Sequence, residues 1–235
     1  MVSDTLYLLS DGLSQLCQND SGVDQLVSPR RETMLALLEK YLAEIERFNP
    51  ALSLVGTNDR QELIVRHILD SLAPLGIMLK MGEQLKIASQ LKIADVGSGA
   101  GLPGIPLAIA LPHAECTLIE RKGRRAGFLR NTVQALGLSN VFVEEEEMEK
   151  AQRGRFTLVT FRAFKPLEPK IYKKLSRLCA GGGVLAAYKG RLEKIEAEIA
   201  ALEKAFPGIN NLLEIIPCPV PFLDEERHLL VIRGE

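Results

Sequence analysis

The chain lacks most of what would tie it to a membrane, an oxidising compartment or a bulk electrostatic field. Its four cysteines, Cys17, Cys116, Cys179 and Cys218, stand far apart and form no C-x-x-C pair. That argues against a zinc site or a disulfide framework and suits a reducing cytosol. Net charge is only -1, so attraction to nucleic acid or anionic lipid has to come from local patches. No basic stretch followed by an apolar core opens the sequence, so no signal peptide is expected. No apolar run approaches the roughly eighteen residues that cross a bilayer. There is no internal repeat and no low-complexity tract. A soluble, cytoplasmic protein without a membrane partner is expected. What is present is ordinary for a globular chain: 235 residues, 46% hydrophobic and 25% charged, enough for one large domain or a domain with an appendage.

Residues 1–28 are weakly patterned, with Asp11-Gly12, Asn19-Asp20 and Ser28-Pro29, and read as a loose or short-helical lead-in. From Arg31 to Phe48, apolar residues recur at Met34, Leu37, Leu38, Tyr41, Leu42, Ile45 and Phe48, which is helical spacing; Asn49-Pro50 is expected to stop that helix. A second helix is predicted from Arg60 to Met78. The pattern then changes to alternation. Strands are predicted at Leu91–Val96, Ala114–Ile119, Val141–Glu144, Phe156–Phe161 and Val184–Tyr188. Helices are predicted at Pro103–Ala110, Gly123–Leu136, Glu168–Leu178 and Leu192–Ala205. Leu212–Pro217 and His228–Ile232 follow as strands with no helix between them. Alternation means parallel strands joined by crossover helices. The expected fold is therefore α/β: a seven-stranded, mostly parallel, Rossmann-like sheet with an antiparallel last strand, the outline of the nucleotide-binding methyltransferases. Residues 1–80 would be an N-terminal helical cap on a domain spanning 81–235.

The first predicted strand ends in Asp95, and Gly97, Gly99 and Gly101 follow it. Gly99-Ala-Gly101-Leu102-Pro103-Gly104 matches G-x-G-x-x-G between a strand and a helix, and Glu120 lies at the end of the second strand. A carboxylate there can accept the ribose hydroxyls of an adenosine. So far NAD and S-adenosylmethionine fit equally. Asp95 separates them. A carboxylate against the loop would repel a pyrophosphate and attract the ammonium and sulfonium of S-adenosylmethionine, an effect of roughly a few kcal/mol in a half-buried site. Pro103 and Pro106 point the same way, because they remove N–H donors where a helix start would otherwise hold phosphate.

Val65-Arg66-His67-Ile68-Leu69-Asp70-Ser71, the run from Asp95 through Gly-Ser-Gly-Ala-Gly-Leu-Pro-Gly-Ile-Pro to Leu107, Arg162-Ala163-Phe164, Lys189-Gly190 and Glu226-Arg227-His228-Leu229 stand in this order. Together they resemble the RsmG (GidB) family, from about residue 30 to the C-terminus. The chain differs from the family pattern at Ser53, at Glu120 in place of an aspartate, and at Arg121-Lys122-Gly123. The resemblance implies an S-adenosylmethionine-dependent enzyme that methylates N7 of one guanine in 16S ribosomal RNA. Its partner would be that RNA or the small ribosomal subunit, and the chain is expected to act as a monomer. Asp95, Gly97, Gly99, Gly101, Leu102, Glu120, Met148, Glu149 and Arg162 would bind the cofactor.

Guanine N7 carries a lone pair and no proton, so it needs alignment rather than a general base. The fourth strand ends in Thr160-Phe161-Arg162-Ala163-Phe164 and lacks the Asn/Asp-Pro-Pro-aromatic motif of amine methyltransferases, which disfavours an exocyclic amine. Arg162, Lys189 and Arg227 are the candidates to act on the target base or an RNA phosphate at the strand ends. Arg124, Arg125, Lys165 and His228 are candidate RNA contacts, and Phe164 could stack on an extruded base or merely pack. His67 and Asp70 share a helix face; two residues are too few for a metal, and they read as a pair tying cap to sheet or as direct participants. Competing readings are a small-molecule methyltransferase of the same fold, an NAD(P)-dependent oxidoreductase, a cytosine-C5 methyltransferase using Cys218 after Pro217, and a non-catalytic binding module.

Overall fold

The computed structural model describes residues 2–84, 91–163 and 165–234; Phe164 lies outside the described residues. Seven strands form one sheet: β1 (Lys92–Val96), β2 (Glu115–Ile119), β3 (Val141–Glu144), β4 (Phe156–Arg162), β5 (Cys179–Lys189), β6 (Leu213–Pro217) and β7 (His228–Arg233). Their order is β3-β2-β1-β4-β5-β7-β6. The first five pair in parallel, and β7 runs antiparallel between β5 and β6. The alternation therefore predicted both the strand set and the sign of the last pairing. The chain moves outward from β1 through β2 to β3, then crosses to β4 on the other side of β1. That reversal puts a crevice at the carboxyl ends of β1 and β4, where sheets of this kind hold ligands.

Strand alternation sends side chains into two cores. Ile93, Leu118, Leu158 and Leu229 join one core with the N-terminal helices, while Ala94, Val159, Phe161 and Leu230 pack in the other. Leu9, Leu13, Tyr41, Leu42, Ile64 and Ile68 belong to the first core, so the residues expected to form a cap bury the same apolar surface as the sheet.

The helical segments are α1 (Val2–Asn19), α2 (Ser21–Val27), α3 (Arg31–Leu52), α4 (Arg60–Leu63), α5 (Asp70–Leu72), α6 (Leu75–Gln84), α7 (Gly104–Ala110), α8 (Gly123–Leu136), α9 (Pro169–Ser176) and α10 (Leu192–Ala205). Of the two readings of residues 1–28, loose or short-helical, the helical one holds, with a longer first helix than expected: α1 and α2 account for most of them. Leu9, Leu13 and Leu16 are buried at helical spacing. Gly12 lies inside α1 and permits close packing, because a Cβ there would sit 2.4 Å from Leu69 Cδ1.

Helix α3 also corrects the stop expected at Asn49-Pro50, since it continues to Leu52 and ends on Ser53 at φ 47°. Pro50 lies in the last turn and leaves only the Glu46 carbonyl without its usual donor. The buried Asn49 side chain fixes the exit: Oδ1 accepts from Val55 N (2.9 Å), and Nδ2 donates to the Thr57 carbonyl (2.8 Å) and Asn58 Oδ1 (2.7 Å). The single helix expected from Arg60 to Met78 is divided. Residues Ile64–Leu69 form a π-helical turn between α4 and α5, and α6 begins just after Pro74. A widened turn of this kind costs regular hydrogen bonding and often marks a functional segment; this one carries Arg66 and His67.

Candidate functional site

The glycine loop is shaped for close approach. Gly97, Gly99 and Gly101 take φ of 73°, 58° and 93°, values that residues with a side chain adopt at a cost. At Gly101 a Cβ would also fall 2.5 Å from Ile105 Cδ1. Behind the loop, Asp95 is fully buried. Its Oδ2 accepts from Gly104 N at 3.0 Å. At the start of α7, Ile105 N donates to the Gly101 carbonyl (2.7 Å) and Leu107 N to that of Pro103 (3.1 Å), and Pro106 has no N–H. With Gly104 N on Asp95, no first-turn donor is left for a phosphate, a stronger form of the argument from prolines alone. Glu120 is buried and braces the loop from β2: Oε2 accepts from Gly99 N (3.0 Å) and Oε1 from Lys122 N (2.8 Å). Each oxygen keeps a second lone pair for a hydroxyl.

Tyr41 completes the brace from α3. It is fully buried, and its hydroxyl donates to the Ala100 carbonyl at 2.8 Å. Sequence reasoning placed it on an apolar helix face, because its partner is 59 residues away. Tyr41→Phe is expected to cost about 1 kcal/mol of stability and to weaken S-adenosylhomocysteine binding roughly three- to tenfold, as read by calorimetry. Unchanged affinity would reduce this contact to packing.

A cavity of about 290 Å³ opens in front of the loop. Val96, Gly97, Glu120, Met148 and Glu149 line it, with Arg125, Ala163 and Lys165. Thus Gly97, Glu120, Met148 and Glu149, proposed from sequence as cofactor contacts, come together. Gly99, Gly101 and Asp95 are not among its lining residues, and Leu102 packs into the core. S-adenosylmethionine fits these residues by one specific test: Asp95 Oδ1 is buried and has no hydrogen-bond partner. Burial pushes the Asp95 carboxyl up to about 7, against the opposing effect of the Gly104 hydrogen bond. An orphaned acceptor poised near half-ionisation at neutral pH is suited to a cationic ligand and unsuited to a phosphate.

The segment after β3 is pinned from α9 and the following turn. Arg177 Nη2 donates to the Met148 and Ala151 carbonyls (2.7 and 2.9 Å), and Lys174 pairs with Glu149 at 2.5 Å. Glu144 and Glu145, the first two of four consecutive glutamates, pair with Arg155 (2.5 Å) and Arg130 (2.6 Å). Two arginines read as RNA contacts also serve the fold: Arg124 Nη2 donates to the Ala51 carbonyl (3.4 Å) and Arg125 Nη2 to that of Ser53 (2.9 Å).

A second pocket of about 310 Å³ adjoins the first, and Ala163 lines both. Ala163 has φ 49°, a strained backbone for a residue with a side chain and the sort of feature that collects at functional sites. His67, Asp70, Arg162, Lys189, Arg227 and His228 line this pocket, so the six polar candidates drawn from four distant motifs converge. Their bonding was not legible from sequence. Arg162 ends β4 where expected, but its guanidinium is occupied within the protein. Nη1 donates to Asp70 Oδ2 (2.6 Å) and the Arg66 carbonyl (3.1 Å), and Nη2 lies 3.1 Å from His67 Nδ1. Arg227 Nε donates to the other Asp70 oxygen at 3.0 Å. Asp70, 8% exposed, thus bridges two arginines. Lys189 pairs with Glu198 at 2.5 Å and lies over the Phe161 ring. Tyr188, read from sequence only as a strand end, donates its hydroxyl to the Ser71 carbonyl at 2.7 Å. Burial pushes the Cys218 thiol up to about 12, which keeps it protonated and removes it as a nucleophile. A larger cleft of about 1330 Å³ continues from Ala163 and Lys165 past Lys189 to Arg191 and Arg227.

Sheet order, glycine loop and acid-tipped β1 define a class: the Rossmann-like, S-adenosylmethionine-dependent methyltransferases. In keeping with that class, a solved structure titled precorrin-6y C5,15-methyltransferase, from Geobacter metallireducens GS-15, superposes with a TM-score of 0.50 at 16% identity over 66% of this chain and 86% of its own; at that identity it bears on fold alone. Residues 34–229 match the family described as GidB, rRNA small subunit methyltransferase G, and the chain belongs to that family. Relatives named ribosomal RNA small subunit methyltransferase G include one from Treponema pallidum (strain Nichols), 38% identical over 90% of both chains. Another, from Stenotrophomonas maltophilia (strain K279a), is 37% identical over 96% of this chain and 93% of its own.

Proposed function

We propose that the chain methylates N7 of a guanine in 16S ribosomal RNA, in the free RNA or the small ribosomal subunit. Membership of the family supports the RNA. The observation that carries the chemistry is the meeting of two pockets at Ala163, the first against the glycine loop that the buried Asp95 backs, the second walled by bound arginines and histidines. S-adenosylmethionine, when bound, supplies an electrophilic methyl group on a positively charged sulfur. Asp95 and Glu120 would hold its cationic and ribose parts, Gly97 would let the backbone approach, and Met148 and Glu149 would flank the adenine. N7 arrives unprotonated, so the residues around it need only align the base and exclude water. Arg162 and Arg227, fixed on one carboxylate, are preorganised walls rather than mobile cations. Lys165, Arg124 and Arg125 would meet RNA phosphates, a reading supported by Lys165 and Arg125 lining the first pocket. Residues 1–80 act as the cap of a monomer working in the cytoplasm, where that substrate is found. No helix among the described residues is long and apolar enough to cross a membrane.

The test is mass mapping of N7-methylguanine in small-subunit RNA from cells with and without this protein. One guanine is expected to lose its methyl group when the protein is missing, and to regain it when the purified chain and S-adenosylmethionine are added. An identical methylation map in both cells overturns the reading.

A further inference from the structure

The second pocket contains two histidines whose tautomers are fixed in opposite senses. His67 Nδ1 faces Arg162 Nη2 at 3.1 Å. A guanidinium has only donors, so Nδ1 must accept, and the proton of the neutral ring sits on Nε2. His228 Nδ1 lies 2.7 Å from the Gly190 carbonyl. A carbonyl only accepts, so here Nδ1 carries the proton, and Nε2 of the neutral ring is an acceptor. Neither Nε2 is bonded to another described residue, and neither is among the buried atoms lacking a partner, which leaves both open toward solvent. Both rings line the same pocket of about 310 Å³. Burial, with the Arg162 and Arg66 guanidiniums beside it, pulls the His67 imidazole down to about 4, so that ring stays neutral at physiological pH. The pocket's other cations have partners already: Arg162 and Arg227 on Asp70, Lys189 on Glu198, and Arg66 on Glu225.

In their neutral forms the two rings therefore offer the pocket one donor and one acceptor. Guanine presents the complement on adjacent atoms, the O6 acceptor and the N1–H donor. Adenine presents the reverse at both, an N6 amino donor and an N1 acceptor. Resting on the reading of this chain as a guanine-N7 methyltransferase, we propose that His67 and His228 read the target base, His67 Nε2–H donating to O6 and His228 Nε2 accepting from N1–H. Contacts on that edge leave the N7 lone pair free, as alkylation at N7 requires. Each contact should discriminate roughly 10- to 100-fold, because the wrong base leaves a polar group unpaired in a confined site.

The experiment uses the full chain and reconstituted small subunits whose RNA carries guanine, inosine or 2-aminopurine at the methylated position. Inosine keeps O6 and N1–H; 2-aminopurine lacks both and keeps N7. Wild-type protein is expected to methylate inosine within about fivefold of guanine and 2-aminopurine at least 100-fold more slowly in kcat/KM. His67→Phe and His228→Phe should each slow guanine by 10-fold or more yet leave the 2-aminopurine rate little changed, so that the gap narrows. S-adenosylhomocysteine affinity shows that each variant is folded, and the base series on the wild type needs no variant. A wild type that slows equally with inosine and 2-aminopurine, or variants that keep the full gap, overturn the proposal. No methylation of the guanine subunit by a protein that binds S-adenosylhomocysteine would instead defeat the underlying functional reading.

Discussion

Asp95→Ala is expected to weaken S-adenosylmethionine binding by roughly 100-fold, while affinity for small-subunit RNA stays within about twofold. The expectation follows from where that carboxyl lies: fully buried, one oxygen on Gly104 N, the other without a partner. A cation brought beside the free oxygen gains a few kcal/mol in so poorly solvated a place. Asp95→Asn keeps an acceptor for Gly104 and removes only the charge, so it isolates the electrostatic part. The pH dependence carries a definite sign. The carboxyl titrates at about 7 in the folded chain, raised from 3.8 by burial, so a cationic ligand binds more tightly as pH rises through 7. Wild-type affinity should climb between about pH 6 and 7.5, and the Asn variant should show no such climb. Stability runs the other way. The folded state holds this proton more tightly than the unfolded state does, so the group costs stability as pH rises from about 4 to 7. Titration calorimetry and thermal unfolding across that range check both. Equal losses of cofactor and RNA binding in Asp95→Ala would mean that the residue serves the fold and not the ligand.

Asp70→Ala should give the largest loss of stability of any single change near the site. Asp70 holds Arg162 at 2.6 Å and Arg227 at 3.0 Å with all three largely shielded. Its removal leaves the Arg162 guanidinium without its counter-ion and Arg227 with only the more exposed Glu225, a loss of about 3–5 kcal/mol. For a chain of this size that lowers Tm by about 10 °C. Methyl transfer should fall by more than 100-fold while S-adenosylhomocysteine still binds below the new Tm, because Glu120, Gly97 and Met148 line the other pocket. Asp70→Asn, which keeps one carbonyl acceptor, should recover part of the stability. A Tm shift below about 2 °C for the alanine variant would show that water already does the work of the carboxylate.

Local pattern foretold the alternation of β1 through β5, the bounds of α8 and α10, and the acids at the ends of β1 and β2, because each depends on neighbours in the chain or on strand period. Bonds between distant residues were out of its reach. Arg162 finds Asp70 across 92 positions, and Tyr41 finds Ala100 across 59; either residue alone reads as a surface base or an apolar stripe. The partner of Lys189 is only nine residues off, yet a strand end and a helix face meet there only once α10 has folded back on the sheet. Residues 1–28 read as loose or short-helical because their pattern around Asp11-Gly12 is weak, and the contact with Leu69 that explains a glycine inside α1 is likewise beyond local pattern.

The widened turn at Ile64–Leu69 has an evolutionary consequence. Arg162 is moored partly by the main-chain oxygens of Arg66 and His67, and such oxygens survive any substitution at those positions. Side-chain chemistry at positions 66 and 67 can thus drift while Arg162 keeps those two main-chain moorings.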